Sequence, residues 1–148
     1  MTIAPDFTVA QALTQAHTQG LARVDAQMLL LHTLGQPTHA RAWLITHDSD
    51  ALSPAQQAQW QQMLAQRQAG VPVAYLTGHK AFYGLDLRVD ARVLDPRDDT
   101  ETLVDWALDV LTTSGQAQPR VLDLGTGSGA IALALASAQP RATVCAVD

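Results

Sequence analysis

Nine consecutive residues constrain this chain more than any other stretch: Val121-Leu122-Asp123-Leu124-Gly125-Thr126-Gly127-Ser128-Gly129. The first four read as a short buried strand with one acid in it. Glycines follow at alternate positions, and Ala130 to Ala138 is a run of small and apolar residues that reads as a helix. Strand, glycine turn and helix, in that order, open a nucleotide-binding α/β unit. Glycine is needed where the backbone takes positive φ and lets a ligand approach closely. The helix N-terminus behind such a turn offers unpaired N–H groups to an anion.

Two ligand classes use a turn of this kind. A dinucleotide brings a pyrophosphate, and its pattern G-x-G-x-x-G/A is met by Gly125, Gly127 and Ala130. Asp123 weighs against it, because a carboxylate two residues before the first glycine repels a pyrophosphate. S-adenosylmethionine fits the acid better: it carries an ammonium and a sulfonium, and its one carboxylate suits the helix N-terminus. A second apolar strand, Thr143 to Val147, ends in Asp148, 19 residues after Gly129. An acid at about that distance is the expected acceptor for ribose hydroxyls. Asp123, Gly125, Thr126, Gly127, Ser128, Gly129 and Asp148 are therefore the candidate cofactor-binding residues. A generic dinucleotide-type βαβ unit with an acid there by chance stays open as the alternative.

The net charge is −5 and Lys80 is the single lysine, so no broad basic face can be assembled for sequence-independent contact with nucleic acid. No run of 18 apolar residues and no signal-peptide pattern occurs, so a cytoplasmic protein away from membranes is expected. The lone cysteine, Cys145, excludes an internal disulfide and is expected to be a buried, inert thiol in its strand. Both strands are apolar on both faces, as in parallel sheets buried between helix layers. With only two of them, one face is expected to stand open to water.

The first 70 residues read as helices. Thr8 caps a helix that runs to Gly20, with Gln11 completing a capping box and Val9, Ala12, Leu13 and Ala16 on one face. Asp25 is expected to cap the next, whose Leu29, Leu30 and Leu34 face a core and which Gly35 ends. Thr38 starts a short third helix with Ala42, Leu44 and Ile45. Ser53-Pro54 starts a fourth, which reaches Gly70. Its seven glutamines between Gln56 and Gln68 read as a solvated face, because Trp60, Met63 and Leu64 keep helical spacing. The histidines His17, His32, His39 and His47 show no metal-ligand spacing. Beyond Val71-Pro72, Val73 to Leu76 and Phe82 to Val89 read as strands of a β-hairpin punctuated by Gly78 and Gly84. Asp98, with Glu101 three residues later, reads as the start of a helix carrying Leu103, Ala107, Val110 and Leu111.

In order, Gly70-Val71-Pro72-Val73-Ala74-Tyr75-Leu76-Thr77-Gly78, Phe82-Tyr83-Gly84-Leu85, Pro96-Arg97-Asp98-Asp99-Thr100-Glu101 and Asp123 to Gly129 resemble the release-factor glutamine methyltransferases, the HemK-like or PrmC-like family. The resemblance is loose over the helical bundle and tight from Gly70 onward. It implies an α/β protein: a small helical bundle over residues 1–70 that binds the release factor, a β-hairpin linker over 71–95, and, over 96–148, the start of a Rossmann-like methyltransferase domain truncated after its second strand. It also implies methyl transfer from S-adenosylmethionine to the side-chain amide of the glutamine in a release factor's Gly-Gly-Gln motif. By the same carry-over, Gly125 to Gly129 hold the methionine end of the cofactor, Asp148 takes the ribose, and Arg97, Thr100 and Glu101 line the pocket.

This sequence departs from the family pattern in three places. Asp98 stands where the family has a second proline, which loosens the loop by roughly 0.4–1 kcal/mol of unfolded-state entropy. Asp95 stands where an apolar residue usually precedes Pro-Arg. The family's catalytic Asn-Pro-Pro-Tyr does not occur. None of the family's catalytic residues is therefore expected in this chain, which is expected to be inactive alone. Sister enzymes that methylate a ribosomal protein, an NAD-dependent oxidoreductase and a non-enzymatic binding module remain the other readings.

Overall fold

The computed structural model describes residues 7–148. The chain forms two compact units, one ending at Thr77 and the other running from Gly78 to Asp148. Residues 1–6 of the expected bundle lie outside the described residues.

Helix α1 (Val9–Thr18) begins at the expected capping box. The Thr8 hydroxyl accepts from the Gln11 N–H, and the Gln11 side chain accepts from the Thr8 N–H at 3.0 Å. The next orphan donors, Val9 and Ala10 N–H, go to the carbonyls of Asp50 and Asp48. Helix α4 (Pro54–Gln68) repeats the device with Ser53 and Gln56 and has proline in its first turn. Helix α2 (Arg23–Thr33) is not capped by Asp25. Its N-cap is Ala22, and Asp25 in the first turn pairs with Arg67 of α4 at 2.9 Å. The partner across the bundle outcompetes the local cap. Helix α3 is Arg41–Thr46, starting three residues after Thr38 with no side-chain cap. Of its expected apolar face only Leu44 is buried; Ala42 and Ile45 are exposed.

These helices meet along Val9, Ala12 and Ala16 of α1, Leu29, Leu30 and Leu31 of α2, and Trp60, Met63 and Leu64 of α4. Each fully buried large side chain contributes about 1.5–3 kcal/mol. The glutamines do face water, and some also lace α1 to α4. Gln15 and Gln61 exchange amide hydrogen bonds at 3.1 and 2.9 Å, and the Trp60 indole N–H donates to Gln15 at 3.2 Å.

Val73 to Leu76 is not a strand. It lies in a fifth helix, α5 (Val73–Thr77), whose first turn closes on the Pro72 carbonyl through the N–H groups of Tyr75 and Leu76. Val73 and Leu76, one turn apart, pack on the bundle core, and that packing overrides a weak β-propensity.

The second unit opens with a hairpin shorter than expected, β1 (His79–Phe82) and β2 (Leu85–Arg88), paired antiparallel with Phe82 opposite Leu85. Tyr83 and Gly84 form the two-residue turn with φ of +48° and +74°, the signs a type I′ turn requires. Leu87 and Val89 are buried. A 3-10 turn (Asp98–Thr100) leads into α6 (Glu101–Thr113). Asp98 does not cap this helix; its carboxylate takes Lys80 Nζ at 2.8 Å. The inward residue of α6 is Val104, while Leu103 and Val110 of the expected face are about half exposed and Trp106 is 64% exposed.

Strands β3 (Arg120–Leu124) and β4 (Thr143–Val147) are parallel, with α7 (Ala130–Ala138) between them in sequence. The register sets Leu122 beside Cys145 and Leu124 beside Val147. That face is open to water, with Leu122 59% and Leu124 72% exposed. Cys145 is exposed on it, contrary to the expected buried thiol. No helix among the described residues is long and apolar enough to cross a membrane.

Candidate functional site

The site forms where β3 and β4 both end. Parallel pairing brings Leu124 opposite Val147, so the glycine turn after β3 and Asp148 after β4 emerge side by side. In open α/β sheets ligands bind beyond the carboxyl ends of the strands. Two bonds seal the turn to β4: the N–H groups of Gly125 and Thr126 both donate to the Val147 carbonyl, at 2.8 and 3.1 Å. The Gly127 N–H points to Asp148 Oδ1 at 3.4 Å, a long and weak contact. At the foot of the turn the Thr126 hydroxyl donates to Asp123 Oδ2 at 2.8 Å. The Gly129 N–H closes the turn on the Thr126 carbonyl at 2.8 Å, and α7 begins with Leu133 N–H donating to the Gly129 carbonyl.

Gly125, Gly127 and Gly129 take φ of +73°, +54° and +78°. L-residues with a Cβ rarely adopt this region, which is why the chain needs glycine here. A Cβ at Gly125 or Gly127 would meet no atom within 4 Å, whereas one at Gly129 would sit 3.5 Å from Leu133 Cδ1. The first two glycines therefore leave open space above the turn rather than making room for the protein's own atoms. Asp123 and Ser128 are half-buried and Asp148 is exposed. The turn leaves open space edged by two carboxylates, Asp123 at its foot and Asp148 at its rim.

The other candidates lie elsewhere in this unit. Arg97 is exposed and Thr100 half-buried. Glu101 accepts the Tyr83 backbone N–H at 2.7 Å, and the Tyr83 hydroxyl donates to Asp105 one turn further along α6 at 2.7 Å. With Lys80 on Asp98, the Arg97–Glu101 segment is fastened to the hairpin. That hydrogen bond to Asp105 raises the Tyr83 phenol above its ordinary value of 10, helped by partial desolvation and by the charges of Asp105, Glu101 and Asp109. Sequence reasoning missed this use of Tyr83. The sequence signal was weak: Gly84 marks a turn, but tyrosine is not among the residues that ordinarily precede glycine in a two-residue hairpin turn. A separate cleft, lined among others by Leu111, Pro119 and Arg141, sits at the opposite, N-terminal ends of the strands and holds none of the candidate residues.

A family model for the PrmC N-terminal domain matches residues 8–78. A release factor glutamine methyltransferase of Bordetella pertussis is 51% identical over 129 residues, covering 87% of this chain and 46% of the relative. One of the same name from Xylella fastidiosa strain 9a5c is 48% identical over 137 residues, covering 93% and 48%. The chain thus spans about half the length of the curated relatives it matches.

Proposed function

Because the chain belongs to the release factor glutamine methyltransferase family, we propose that it is part of an S-adenosylmethionine-dependent enzyme that methylates the glutamine side-chain amide of a peptide chain release factor. The observation that carries the cofactor is the meeting of Asp123, the glycine turn and Asp148 at the ends of two parallel strands. S-adenosylmethionine supplies an activated methyl group. The open backbone at Gly125 and Gly127 lets its methionine end approach, with Thr126 and Ser128 beside it. Asp123, held by the Thr126 hydroxyl, supplies negative charge at the foot of the pocket, and Asp148 offers an acceptor to ribose hydroxyls. Gly129 turns the chain into α7, whose first N–H groups would hold the cofactor carboxylate. The family resemblance adds Arg97, Thr100 and Glu101, on the segment fastened to the hairpin, as residues for the same pocket.

The bundle ending near Gly70 binds the release factor, the 71–95 stretch links it onward, and residues 96–148 begin the Rossmann-like catalytic domain. Glutamine nitrogen is a weak nucleophile, so this chemistry depends on positioning and polarising the amide rather than on a general base. The family residues for that task, Asn-Pro-Pro-Tyr, are absent from these 148 positions, so this chain alone transfers no methyl group.

The test is calorimetry on the full-length protein with S-adenosylmethionine and with NAD, followed by methyl transfer to a release factor and to ribosomal protein. Binding of S-adenosylmethionine alone, and methylation of the release factor, is the expected result. Tight NAD binding with no response to S-adenosylmethionine would overturn it.

A further inference from the structure

The hairpin tip makes an unusual choice. A two-residue type I′ turn needs positive φ at both positions, and Asn-Gly or Asp-Gly meets that need most easily. This chain places a tyrosine first, at φ +48°. It is the one non-glycine residue with positive φ among the described residues. A bulky residue held there against its preference is a reason to ask what its side chain and N–H do. Both are engaged: the N–H donates to Glu101 and the hydroxyl to Asp105, each at 2.7 Å. Bonds to carboxylates of this length are the stronger kind. Lys80, on the same hairpin, adds its ion pair to Asp98. Three side-chain links thus join a four-residue reach of the hairpin to both ends of the Asp98–Asp105 stretch.

We propose that the hairpin tip is a latch on the Arg97–Glu101 segment, and that Tyr83 is a positioning residue for the cofactor pocket this segment lines. An asparagine at position 83 would satisfy the turn as well or better, yet could not reach Asp105. The tyrosine therefore serves the latch and not the turn. Lys80 serves it too: its ion pair holds Asp98 at the place where a proline would have stiffened the backbone. The cofactor part rests on the methyltransferase reading; the latch part does not.

The test compares the wild-type full-length protein with Tyr83→Asn and Tyr83→Phe. It uses amide hydrogen exchange across residues 97–101, thermal denaturation and calorimetry with S-adenosylmethionine. Tyr83→Asn is expected to keep or raise the melting temperature, to speed exchange at 99–101 about tenfold, and to weaken the cofactor several-fold. Tyr83→Phe, which loses the hydroxyl bond but keeps the bulky residue at positive φ, should speed exchange similarly and lower the melting temperature. If Tyr83→Asn is too unstable to use, Asp105→Ala, which removes the acceptor of the Tyr83 hydroxyl, replaces it with the same expected faster exchange and weaker cofactor binding. Unchanged exchange at 97–101 would refute the latch, whatever binds. Faster exchange with unchanged cofactor affinity would refute the positioning role. A wild-type protein that ignores S-adenosylmethionine would overturn the positioning role together with the methyltransferase reading, and the exchange data would still judge the latch separately.

Discussion

Replacing Gly127 with valine separates the role of the turn in binding from its role in folding. At φ +54° a Cβ would meet no atom within 4 Å, so the side chain starts in open space. What remains is the backbone cost of a β-branched residue in the left-handed region, roughly 2 kcal/mol. For a unit of this size, running from Gly78 to Asp148, that lowers the melting temperature by about 8–16 °C. The cost in binding is different in kind. The two methyl groups fill the open space above the turn, where the cofactor backbone has to come close. Affinity for S-adenosylmethionine should fall at least about a hundredfold, equivalent to about 2.8 kcal/mol. Gly115 supplies the control: it has φ +68°, also with nothing within 4 Å, and it lies in the loop before β3 at the far ends of the strands. Gly115→Val should show the same loss of melting temperature and unchanged affinity. Thermal denaturation and calorimetry on both variants decide the matter. Equal affinities for the two would show that the glycine turn is not the cofactor cradle.

Two further predictions concern the scaffold. Leu30 is fully buried at the centre of the bundle, so Leu30→Ala should cost about 2–5 kcal/mol in denaturant unfolding, and a loss under about 1 kcal/mol would mean the core is not built as described. The side chain of Arg92 donates to the Asp90 carboxylate through Nε at 2.9 Å and its backbone N–H does the same, which brings the Asp90 pKa down from 3.8 to about 2. Because the folded-state value is depressed, the stabilisation this pair gives is complete above about pH 4 and fades as pH falls toward 2. Carboxyl NMR titration should find Asp90 near 2 in the wild type and raised in Arg92→Ala, though still below 3.8 because the backbone N–H at position 92 remains, and equal values in the two proteins would refute the side-chain pairing.

Where a signal is local, the sequence alone was enough. The capping boxes at Thr8 and Ser53 and the glycine turn are satisfied within a few residues, so their side chains and φ angles follow from the order of residues. Periodicity likewise identified Trp60, Met63 and Leu64 as the buried face of a glutamine-rich helix. What depended on partners distant in the chain was not legible. Asp25 left its expected cap for Arg67, and Asp98 left its own for Lys80, because a charged partner offers a stronger bond than a backbone N–H already reachable by water. Val73 and Leu76 became helical because a packed core rewards that spacing more than β-propensity opposes it. Cys145 is exposed because alternation says which residues share a face of a strand, while only the neighbouring layers decide whether that face is covered. The same division runs through the site. The residues from Val121 to Gly129 specify a strand and a glycine turn by themselves, whereas the approach of Asp148 required β4 to pair in parallel beside β3, and the fastening of Glu101 required a hairpin 18 residues upstream to fold back onto α6.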